Sequence, residues 1–360
     1  MRQEGMNYAP KGKPAPVVKP GEFTFAAVGL DHGHIGGMCN GLLEAGAQLK
    51  YIYDPDEALV KRYLEMFPEA KAARSEDEVL SDPSVALVAG ACIPSDRCAL
   101  GLRVLAAGKD YFTDKAPLTT LEQLEAARTA VATTGKKYAV YYSERLHTSA
   151  GIFAGQLIAD GAIGKVLNTV GLGPHRISLD KRPDWFFKRE KNGGILCDIG
   201  SHQIEQFLYY TGAKDAQITA ARIENYYNKA HPGLDDFGDC MIKADNGATG
   251  YFRVDWFTPD GLCTWGDGRL TIMGTDGFIE LRKYVDIAKT PRGGHVYLVN
   301  HEGEKYFDVE GETGFPYFGQ LILDCINRTE NAMTQEHAFK AAELCVRAQM
   351  IAEKAKGIVR

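Results

Sequence analysis

A chain of 360 residues with 45% hydrophobic residues exceeds the usual size of a single hydrophobic core, so its length predicts two domains. The net charge of −6 argues against non-specific nucleic-acid binding, which needs clustered Lys and Arg. The sequence has no apolar run of membrane-spanning length, no secretory pattern at its start and no C-x-x-C pair among its eight cysteines, so we expect a cytoplasmic protein with reduced thiols and no metal site.

The first 145 residues predict an arm followed by alternating strands and helices. Residues 1–20 are rich in Pro, Lys and Gly, which predicts an extended N-terminal arm. Strands are predicted at 23–28, 49–53, 85–89, 111–112 and 138–142. A helix is predicted after each of the first four strands, and this alternation over residues 21–145 is typical of a parallel sheet with helices on both faces.

The pattern changes after residue 146, where strands become predominant. A helix at 151–160, a strand at 165–172 and a helix at 199–210 come first. Further strands are predicted at 217–227, 237–244, 249–256, 270–273, 278–281, 295–299 and 305–309, and helices at 317–327 and 336–356. We predict an α/β protein whose second domain, 146–330, is α+β with a large, mostly antiparallel open sheet, and whose last helix, 331–360, packs back on the body.

A glycine-containing loop, GLDHGHI at residues 29–35, follows the first strand and opens a helix. A dinucleotide fingerprint would be G-x-G-x-x-G here, but Asp31 and His34 occupy its second and third glycine positions. A turn that binds no ligand is the alternative. Asp54 ends the second strand, where a carboxylate can accept hydrogen bonds from both ribose hydroxyls of NAD and would repel the additional phosphate of NADP. It could also cap the next helix, with Pro55 at the first helical position.

Two local motifs indicate catalysis. Lys115 follows a strand in the sequence TDKAP, and a lysine at the carboxyl end of a strand lies in the ligand crevice of an open α/β sheet, with a solvated surface lysine as the alternative. In GGILCDIGSH, residues 193–202, Asp198 and His202 lie four residues apart, on one face of a helix. A carboxylate beside an imidazole raises its basicity, which suits a general base.

The second motif leaves three alternatives open. Asp198 could be a helix cap beside a packed histidine, or the pair could be two metal ligands, although the sequence indicates no third ligand. The glycines Gly193 and Gly194 permit close approach of a ligand to the backbone, or form a turn.

Residues 114–117, DKAP, resemble the Glu-Lys-Pro motif of the glucose–fructose oxidoreductase and inositol dehydrogenase (Gfo/Idh/MocA) family. Residues 193–202 resemble its second signature, G-G-x-x-x-D-x-G-x-H. The resemblance covers residues 23–355. It implies a Rossmann domain at 21–145, a second domain whose open sheet mediates homodimers or homotetramers, a nicotinamide cofactor, and sugar, cyclitol or glycoside substrates. It also implies a catalytic set, which is Lys115, Asp198 and His202.

The chain departs from the family pattern at three places. Asp114 replaces the glutamate, Ala116 intervenes before Pro117, and the phosphate loop lacks two glycines, so that His32 or His34 could contact the pyrophosphate or nicotinamide. The arm is similar in composition to one that embraces a neighbouring subunit in glucose–fructose oxidoreductase. An arm of that kind would keep NAD tightly bound, and a disordered tail is the alternative.

Together these features predict an NAD-dependent oxidoreductase that transfers a hydride between nicotinamide and a secondary hydroxyl or ketone of a sugar, cyclitol or glycoside, with C3 of a glucoside as a candidate carbon. We expect His202, oriented by Asp198, to take the proton and Lys115 to stabilise negative charge on the oxygen, although the two roles could be exchanged. An NAD-dependent glycoside hydrolase and a non-catalytic regulator are the alternatives. The predicted cofactor-binding residues are Gly29, Asp31, His32, His34, Ile35, Asp54, Pro94, Asp114 and Lys115. The predicted substrate-binding residues are Glu144, Arg145, His175, Arg182, Trp185, Asp198, His202 and Trp265.

Overall fold

The computed structural model describes residues 8–358, so the first seven residues of the predicted arm lie outside the described part of the chain. The described part of the chain divides into two compact units. Residues 14–141 and 316–342 form one, the Rossmann unit, and residues 8–13, 142–315 and 343–358 form the other, the open-sheet unit. The division differs from the predicted boundaries because the late segment 316–342 belongs to the first unit.

A parallel sheet of six strands, in the order β3-β2-β1-β4-β5-β6, forms the centre of the Rossmann unit. The strands are β1 (Thr24–Val28), β2 (Gln48–Tyr53), β3 (Lys71–Ala72), β4 (Leu87–Gly90), β5 (Asp110–Asp114) and β6 (Tyr138–Tyr141). The helices between them are α1 (His34–Glu44), α2 (Glu57–Met66), α3 (Glu76–Ser81), α4 (Pro94–Ala106) and α5 (Leu121–Thr134). All five neighbouring pairs among these six strands are parallel, which confirms the predicted parallel sheet.

The local sequence explains where these helices begin. It also explains why two elements were not predicted. The side chains of Asp56, Ser75 and Thr120 accept backbone N–H groups in the first turns of α2, α3 and α5, as N-cap residues do. The missed elements are β3, which has only two residues, and α3, whose sequence EDEVLS has no apolar periodicity.

The open-sheet unit contains an eight-stranded sheet in the order β14-β13-β12-β11-β7-β10-β9-β8, in which only β7 and β10 are parallel neighbours among the described strands. The strands are β7 (Val166–Pro174), β8 (Ala216–Glu224), β9 (Phe237–Ala244), β10 (Thr249–Asp255), β11 (Arg269–Gly274), β12 (Gly277–Arg282), β13 (His295–Asn300) and β14 (Gly303–Asp308). The helices are α6 (Ser143–Leu146), α7 (Ser149–Ala159), α8 (Arg189–Asn192), α9 (Ile195–Asp198) and α10 (Gly200–Thr211). The predicted open, mostly antiparallel sheet is confirmed.

The two faces of this sheet differ in their exposure to solvent. One face packs against α7 and α10 over a core that includes Phe153, Ile272 and Leu298. The other face carries exposed apolar side chains, which are Val170, Met241, Met273 and Phe278. Met273 and Phe278 are direct cross-strand partners on β11 and β12, so these two side chains lie side by side on this face.

Two helices end the chain, α11 (Pro316–Asn327) and α12 (Gln335–Ala355). In the Rossmann unit, α11 packs on α1 at Gly41, where a Cβ atom would lie 2.3 Å from the ring of Phe318. The Gln335 side chain accepts the N–H of Tyr138 at 2.9 Å and donates to its carbonyl oxygen at 2.8 Å, which covers the edge strand β6. None of the helices within residues 8–358 combines the length and the apolar character that a bilayer crossing requires.

Residues 8–20 of the arm contain neither a helix nor a strand, yet they are packed on their own chain. Tyr8 is buried in the core of the open-sheet unit. In the Rossmann unit, the N–H of Val17 donates to the Ala45 carbonyl at 2.9 Å.

Candidate active site

The carboxyl edge of the parallel sheet carries the predicted nucleotide loop. Gly29 follows β1 with a φ of +74°, and a Cβ atom there would lie 2.6 Å from the Cβ of Cys92, so only glycine fits. The helix α1 begins five residues later at His34, which directs its positive end towards this edge. The loop therefore keeps the first fingerprint glycine and the helix N-terminus, two features that suit a pyrophosphate.

Asp54 follows β2 at the same edge and is nearly buried. Its two oxygens accept the N–H groups of Leu30, at 2.7 Å, and of Asp56, at 2.8 Å. The cap of α2 is Asp56, which accepts the N–H of Ala58 at 2.9 Å, and the helix begins at Glu57. The alternative that Asp54 caps this helix, with a proline at its first position, is therefore wrong. Burial, together with the negative charge of Asp54, raises the pKa of Asp31.

A buried carboxylate, Asp114, binds both histidines of the loop. Its Oδ1 lies 2.9 Å from Nδ1 of His34 and accepts the N–H of Lys115 at 2.8 Å. Its Oδ2 lies 2.9 Å from Nδ1 of His32 and 3.2 Å from the guanidinium of Arg97. His34, at the third fingerprint position, and its neighbour His32 are thus both tied to β5, and the predicted cofactor-binding residues of this loop lie together.

The charges in this cluster determine which groups are ionised. Burial alone would raise the pKa of Asp114, but His34, Arg97 and His32 hold it well below its usual range. Burial and the neighbouring His34 lower the pKa of His32 to about 4. Near neutral pH, Asp114 is therefore an anion and His32 is uncharged.

The donor set of this cluster also resembles that of a metal site. Potential ligand atoms of His32, His34 and Asp114 all lie within 4.8 Å of one another, although the sequence predicted no metal. Each oxygen of Asp114 already has two nitrogen atoms within 3.2 Å, and one of these belongs to the guanidinium of Arg97. A cationic guanidinium beside the carboxylate opposes a second cation, so the arrangement is that of a hydrogen-bonded cluster.

Lys115 directly follows β5 and is only 4% exposed, so the alternative of a solvated surface lysine is wrong. The Arg97 side chain, from α4, donates to the carbonyl oxygens of Lys115 and, at 3.1 Å, of Ala116. Gly29, Asp54 and Lys115 follow β1, β2 and β5, so all three lie at one edge of the same sheet. Two other predicted cofactor-binding residues, Ile35 and Pro94, are buried in the first turns of α1 and α4, and Ile35 is completely buried.

In the open-sheet unit, the second motif forms two helices instead of one. The helix α9 ends at Asp198, α10 begins at Gly200, and the N–H of His202 donates to the carbonyl of Ile199 at 3.2 Å. Ile199 itself has helical dihedral angles, so the chain continues with helical twist between Asp198 and His202. The His202 side chain is almost completely buried.

The glycine pair of this motif serves packing. Gly193 and Gly194 both have positive φ, and a Cβ atom on Gly194 would lie 2.2 Å from the Gln349 side chain of α12. Gln349 accepts the N–H of Leu196 at 3.1 Å. The close approach that these glycines permit is therefore made by α12, in the same unit.

A buried polar network lies beside His202. The Nζ of Lys283 donates to Glu144 Oε2 at 2.5 Å and to Gln206 Oε1 at 3.0 Å, and the Gln203 amide donates to the same Glu144 oxygen at 3.3 Å. Burial would raise the pKa of Glu144, but the charges of Lys283, His202 and His175 lower it to about 2. Glu144 is thus an anion at neutral pH.

Aromatic rings gather at the carboxyl end of β7. His175 lies 4.4 Å from the ring of Trp265 and 5.5 Å from that of Trp256, measured between ring centres. The guanidinium of Arg182 lies 4.8 Å from the Trp256 ring, and its pKa is lowered by burial against the opposing charge of Asp198. His175, Arg182 and Trp265 therefore form one polar and aromatic surface.

Two predicted substrate-binding residues have other contacts. Arg145 is buried and paired with both oxygens of Glu205, and its guanidinium lies 3.7 Å from the ring centre of Tyr209. These partners satisfy its charge within the fold. Trp185 lies in a short 3-10 turn, Asp184–Phe187, where its ring contacts the neighbouring Phe186.

Comparison with known proteins identifies the family. A model of the GFO/IDH/MocA C-terminal domain matches residues 153–280. A solved structure of an oxidoreductase described as putative, from Erwinia carotovora atroseptica SCRI1043, is 51% identical, with a TM-score of 0.89 and with 92% of this chain and 99% of that chain covered. The chain belongs to the Gfo/Idh/MocA family.

Curated Gfo/Idh/MocA relatives are more distant. D-xylose dehydrogenase of Paenarthrobacter nicotinovorans is 27% identical over 218 residues, which span 57% of this chain but only 53% of that enzyme. The scyllo-inositol 2-dehydrogenase (NAD(+)) of Bacillus subtilis strain 168 is 26% identical over 267 residues, 72% of each chain. Both are dehydrogenases of polyhydroxylated compounds by name.

The family motifs point to Lys115, Asp198 and His202 but not to the residues that support them. Arg97, which binds Asp114, lies on a helix without a recognisable signal. Lys283 follows β12 in the sequence LRKYVD, a charged pattern that is typical of the solvent-exposed end of a strand. Such partners are recognised only when the fold brings distant segments together, because they have no fixed spacing from the motifs.

Proposed function

We propose that this member of the Gfo/Idh/MocA family is an NAD-dependent oxidoreductase that acts on a secondary hydroxyl of a neutral sugar, glycoside or cyclitol. The observation that carries the proposal is the grouping of Gly29, Asp54 and Lys115 at one edge of the parallel sheet. Ligands of open α/β sheets bind at the carboxyl edge. The names of the two dehydrogenases among the relatives support the substrate class.

The Rossmann unit would hold the dinucleotide through three features. The absence of a side chain at Gly29 would let the pyrophosphate approach the backbone, and the positive end of α1 would attract its charge. Asp54 would accept hydrogen bonds from the adenosine ribose hydroxyls, and its negative charge would disfavour NADP. His32 and His34, held by Asp114, would line the loop.

Bound NAD would supply the hydride acceptor. His202 would take the proton of the substrate hydroxyl, with Asp198 as the carboxylate that supports its positive charge. Lys115 would donate a hydrogen bond to the same oxygen and stabilise its developing negative charge. His175, Arg182 and Trp265 would bind the substrate, because an aromatic surface with polar groups suits the faces and hydroxyls of a sugar ring.

We extend the proposal to assembly and location. The exposed apolar patch of Val170, Met241, Met273 and Phe278 would form the interface of a homodimer or homotetramer. The eight cysteines are free thiols, which suits the reducing environment of the cytoplasm.

The experiment that tests the proposal is a rate measurement with purified protein. NAD or NADP is mixed with D-xylose, scyllo-inositol, D-glucose or a methyl glucopyranoside, and the reduced nicotinamide is followed by absorbance. We expect reduction with at least one compound, and faster reduction with NAD than with NADP. A protein that reduces neither nucleotide with any of these compounds would contradict the proposal.

A further inference from the structure

The ion pair between Glu144 and Lys283 joins three separate elements of the open-sheet unit. Glu144 lies on α6, Lys283 follows β12, and the network reaches α10 through Gln203 and Gln206. The side chains of the pair are 2% and 0% exposed. A buried pair of this kind contributes little net stability compared with apolar residues of similar size, so its presence requires a reason beyond packing.

The network contacts α10 at two residues that follow His202, Gln203 and Gln206. The amide of Gln203, the next residue after His202, donates to Glu144. The amide nitrogen of Gln206 donates to the carbonyl oxygen of His202 at 2.7 Å, while its oxygen accepts Lys283. The Glu144–Lys283 pair is therefore linked by hydrogen bonds to α10 beside His202.

The strand beside α10 is shaped for this network. A Cβ atom at Gly171 would lie 2.1 Å from the Gln203 side chain, and a Cβ atom at Gly173 would lie 3.0 Å from it. A side chain at Gly171 would displace the Gln203 amide from its present position beside Glu144. The Glu144 Oε1 atom is buried and accepts no hydrogen bond from any residue within 8–358, so its negative charge is weakly screened.

We propose that Glu144 and Lys283 are positioning residues that hold His202 and set its basicity as the proton acceptor. The inference rests on the proposed function. The Glu144 carboxylate favours the imidazolium that forms when His202 takes a proton, and Lys283 limits that effect while it fixes the carboxylate in place.

Other charged groups of the open-sheet unit surround this junction. They are Asp198 on α9, His175 at the end of β7, and the mutually paired Arg145 and Glu205. Glu144 interacts electrostatically with His202, whereas Arg145 and Glu205 are buried and hydrogen-bonded to each other.

The test compares the pH dependence of kcat/KM in three variants, with the compound that the unmodified protein oxidises fastest. Glu144→Gln removes the negative charge, and we expect the acid limb of the profile to move to lower pH by about one unit. Lys283→Met removes the positive charge and moves the limb to higher pH. The double variant E144Q/K283M has a neutral, well-packed pair, so it folds even where a single variant does not, and its limb lies between those of the single variants.

Asp286→Asn is the matched control, since Asp286 is also a buried carboxylate, paired with Arg282 in the same unit. We expect its acid limb to stay in place. An NMR titration of the His202 ring, assigned by its loss in His202→Gln, measures the same shifts without turnover. If the acid limb and the His202 titration stay at the same pH in all variants, the inference is overturned while the proposed function stands. Failure of the unmodified protein to oxidise any compound would overturn the proposed function, and the NMR titration would still decide the influence on the ring.

Discussion

The guanidinium of Arg97 lies 3.2 Å from the carboxylate of Asp114, and both side chains are almost completely inaccessible to solvent. The same guanidinium donates to the backbone carbonyl oxygens of residues 115 and 116. One side chain from α4 therefore fixes both the carboxylate that holds the loop histidines and the backbone of Lys115, the proposed catalytic lysine.

Loss of this guanidinium leaves a buried carboxylate without its cation. We expect Arg97→Met to lower the free energy of unfolding by about 3–5 kcal/mol, because removal of one partner of a buried pair is strongly destabilising. Thermal unfolding followed by calorimetry measures the effect. Arg74→Met is the control, since Arg74 forms an exposed pair with Glu78, and we expect its Tm to be unchanged. Equal Tm values for the two variants would contradict the structural role of Arg97.

The choice between NAD and NADP provides a second test. Replacement of Asp54 by Asn removes the negative charge but keeps an acceptor for the N–H of Leu30. We expect NAD affinity to fall about tenfold to a hundredfold, the effect of losing hydrogen bonds to a charged group, and the preference over NADP to narrow. Isothermal titration with each nucleotide measures both changes. Asp56→Asn, which alters only the cap of α2, should leave the preference as it was.

The catalytic lysine is tested by a comparison of two buried lysines. Lys115→Met should lower kcat by a factor of about 100–1,000, the usual effect of removing a donor to a developing oxyanion, while NAD binding changes little. Lys109→Met is the control, because Lys109 is also buried in the Rossmann unit but donates to the carbonyls of Asp82 and Val85. If Lys115→Met instead abolished NAD binding and the control did not, Lys115 would be a cofactor ligand and not the oxyanion donor.

Acid should destabilise the protein through His32. Its pKa is about 4 in the folded chain against an ordinary value of 6.5, so the unfolded chain binds more protons between these values. Stability is therefore complete above pH 6.5 and is lost as the pH falls towards 4, with a contribution of up to about 3 kcal/mol. Urea unfolding at several pH values measures this loss.

Two variants isolate the contribution of this histidine. His32→Asn should flatten the dependence between pH 4 and 6.5, because the group that gains a proton on unfolding is gone. His301→Asn changes an exposed histidine in the turn after β13 and should behave like the unmodified protein. Parallel slopes in all three proteins would show that His32 does not carry the effect.

The proposed interface is tested by the introduction of a charged side chain into the apolar patch. We expect Phe278→Glu to reduce the mass of the assembly in solution, because a carboxylate opposite Met273 cannot be buried in an apolar interface. Multi-angle light scattering after gel filtration measures the mass. Ile287→Glu is the control, since Ile287 is highly exposed but lies outside the sheet. A monomeric unmodified protein would contradict the proposed assembly directly.

The fold could be predicted from sequence because its signals are local. The apolar strands around Phe25 and Val88 are recognised from neighbouring residues, and the structure confirms the parallel sheet that they indicated. The segment 316–342 was assigned differently because sequence order alone does not show that a late helix returns to an early sheet.

The site was less accessible to sequence reasoning because it depends on tertiary partners. Local patterns indicated Asp114 and Glu144, but Arg97 and Lys283, which hold these carboxylates, lie 17 and 139 residues away along the chain. Arg145 was predicted to bind substrate from its position after β6, whereas the fold pairs it with Glu205. Position after a strand thus indicated the right region, and only three-dimensional contacts distinguish a ligand-binding charge from a structural one.

The return of α11 to the Rossmann unit affects the order of events during translation. The first 141 residues contain every strand of the parallel sheet, but Phe318, which fills the space over Gly41, is made about 200 residues later. At ribosomal speeds of about 5–20 residues per second, the nascent sheet waits about 10–40 seconds for the helix that covers α1. During this interval the apolar surface of α1 is exposed, and we expect chaperones to bind the nascent chain until its last eighth is made.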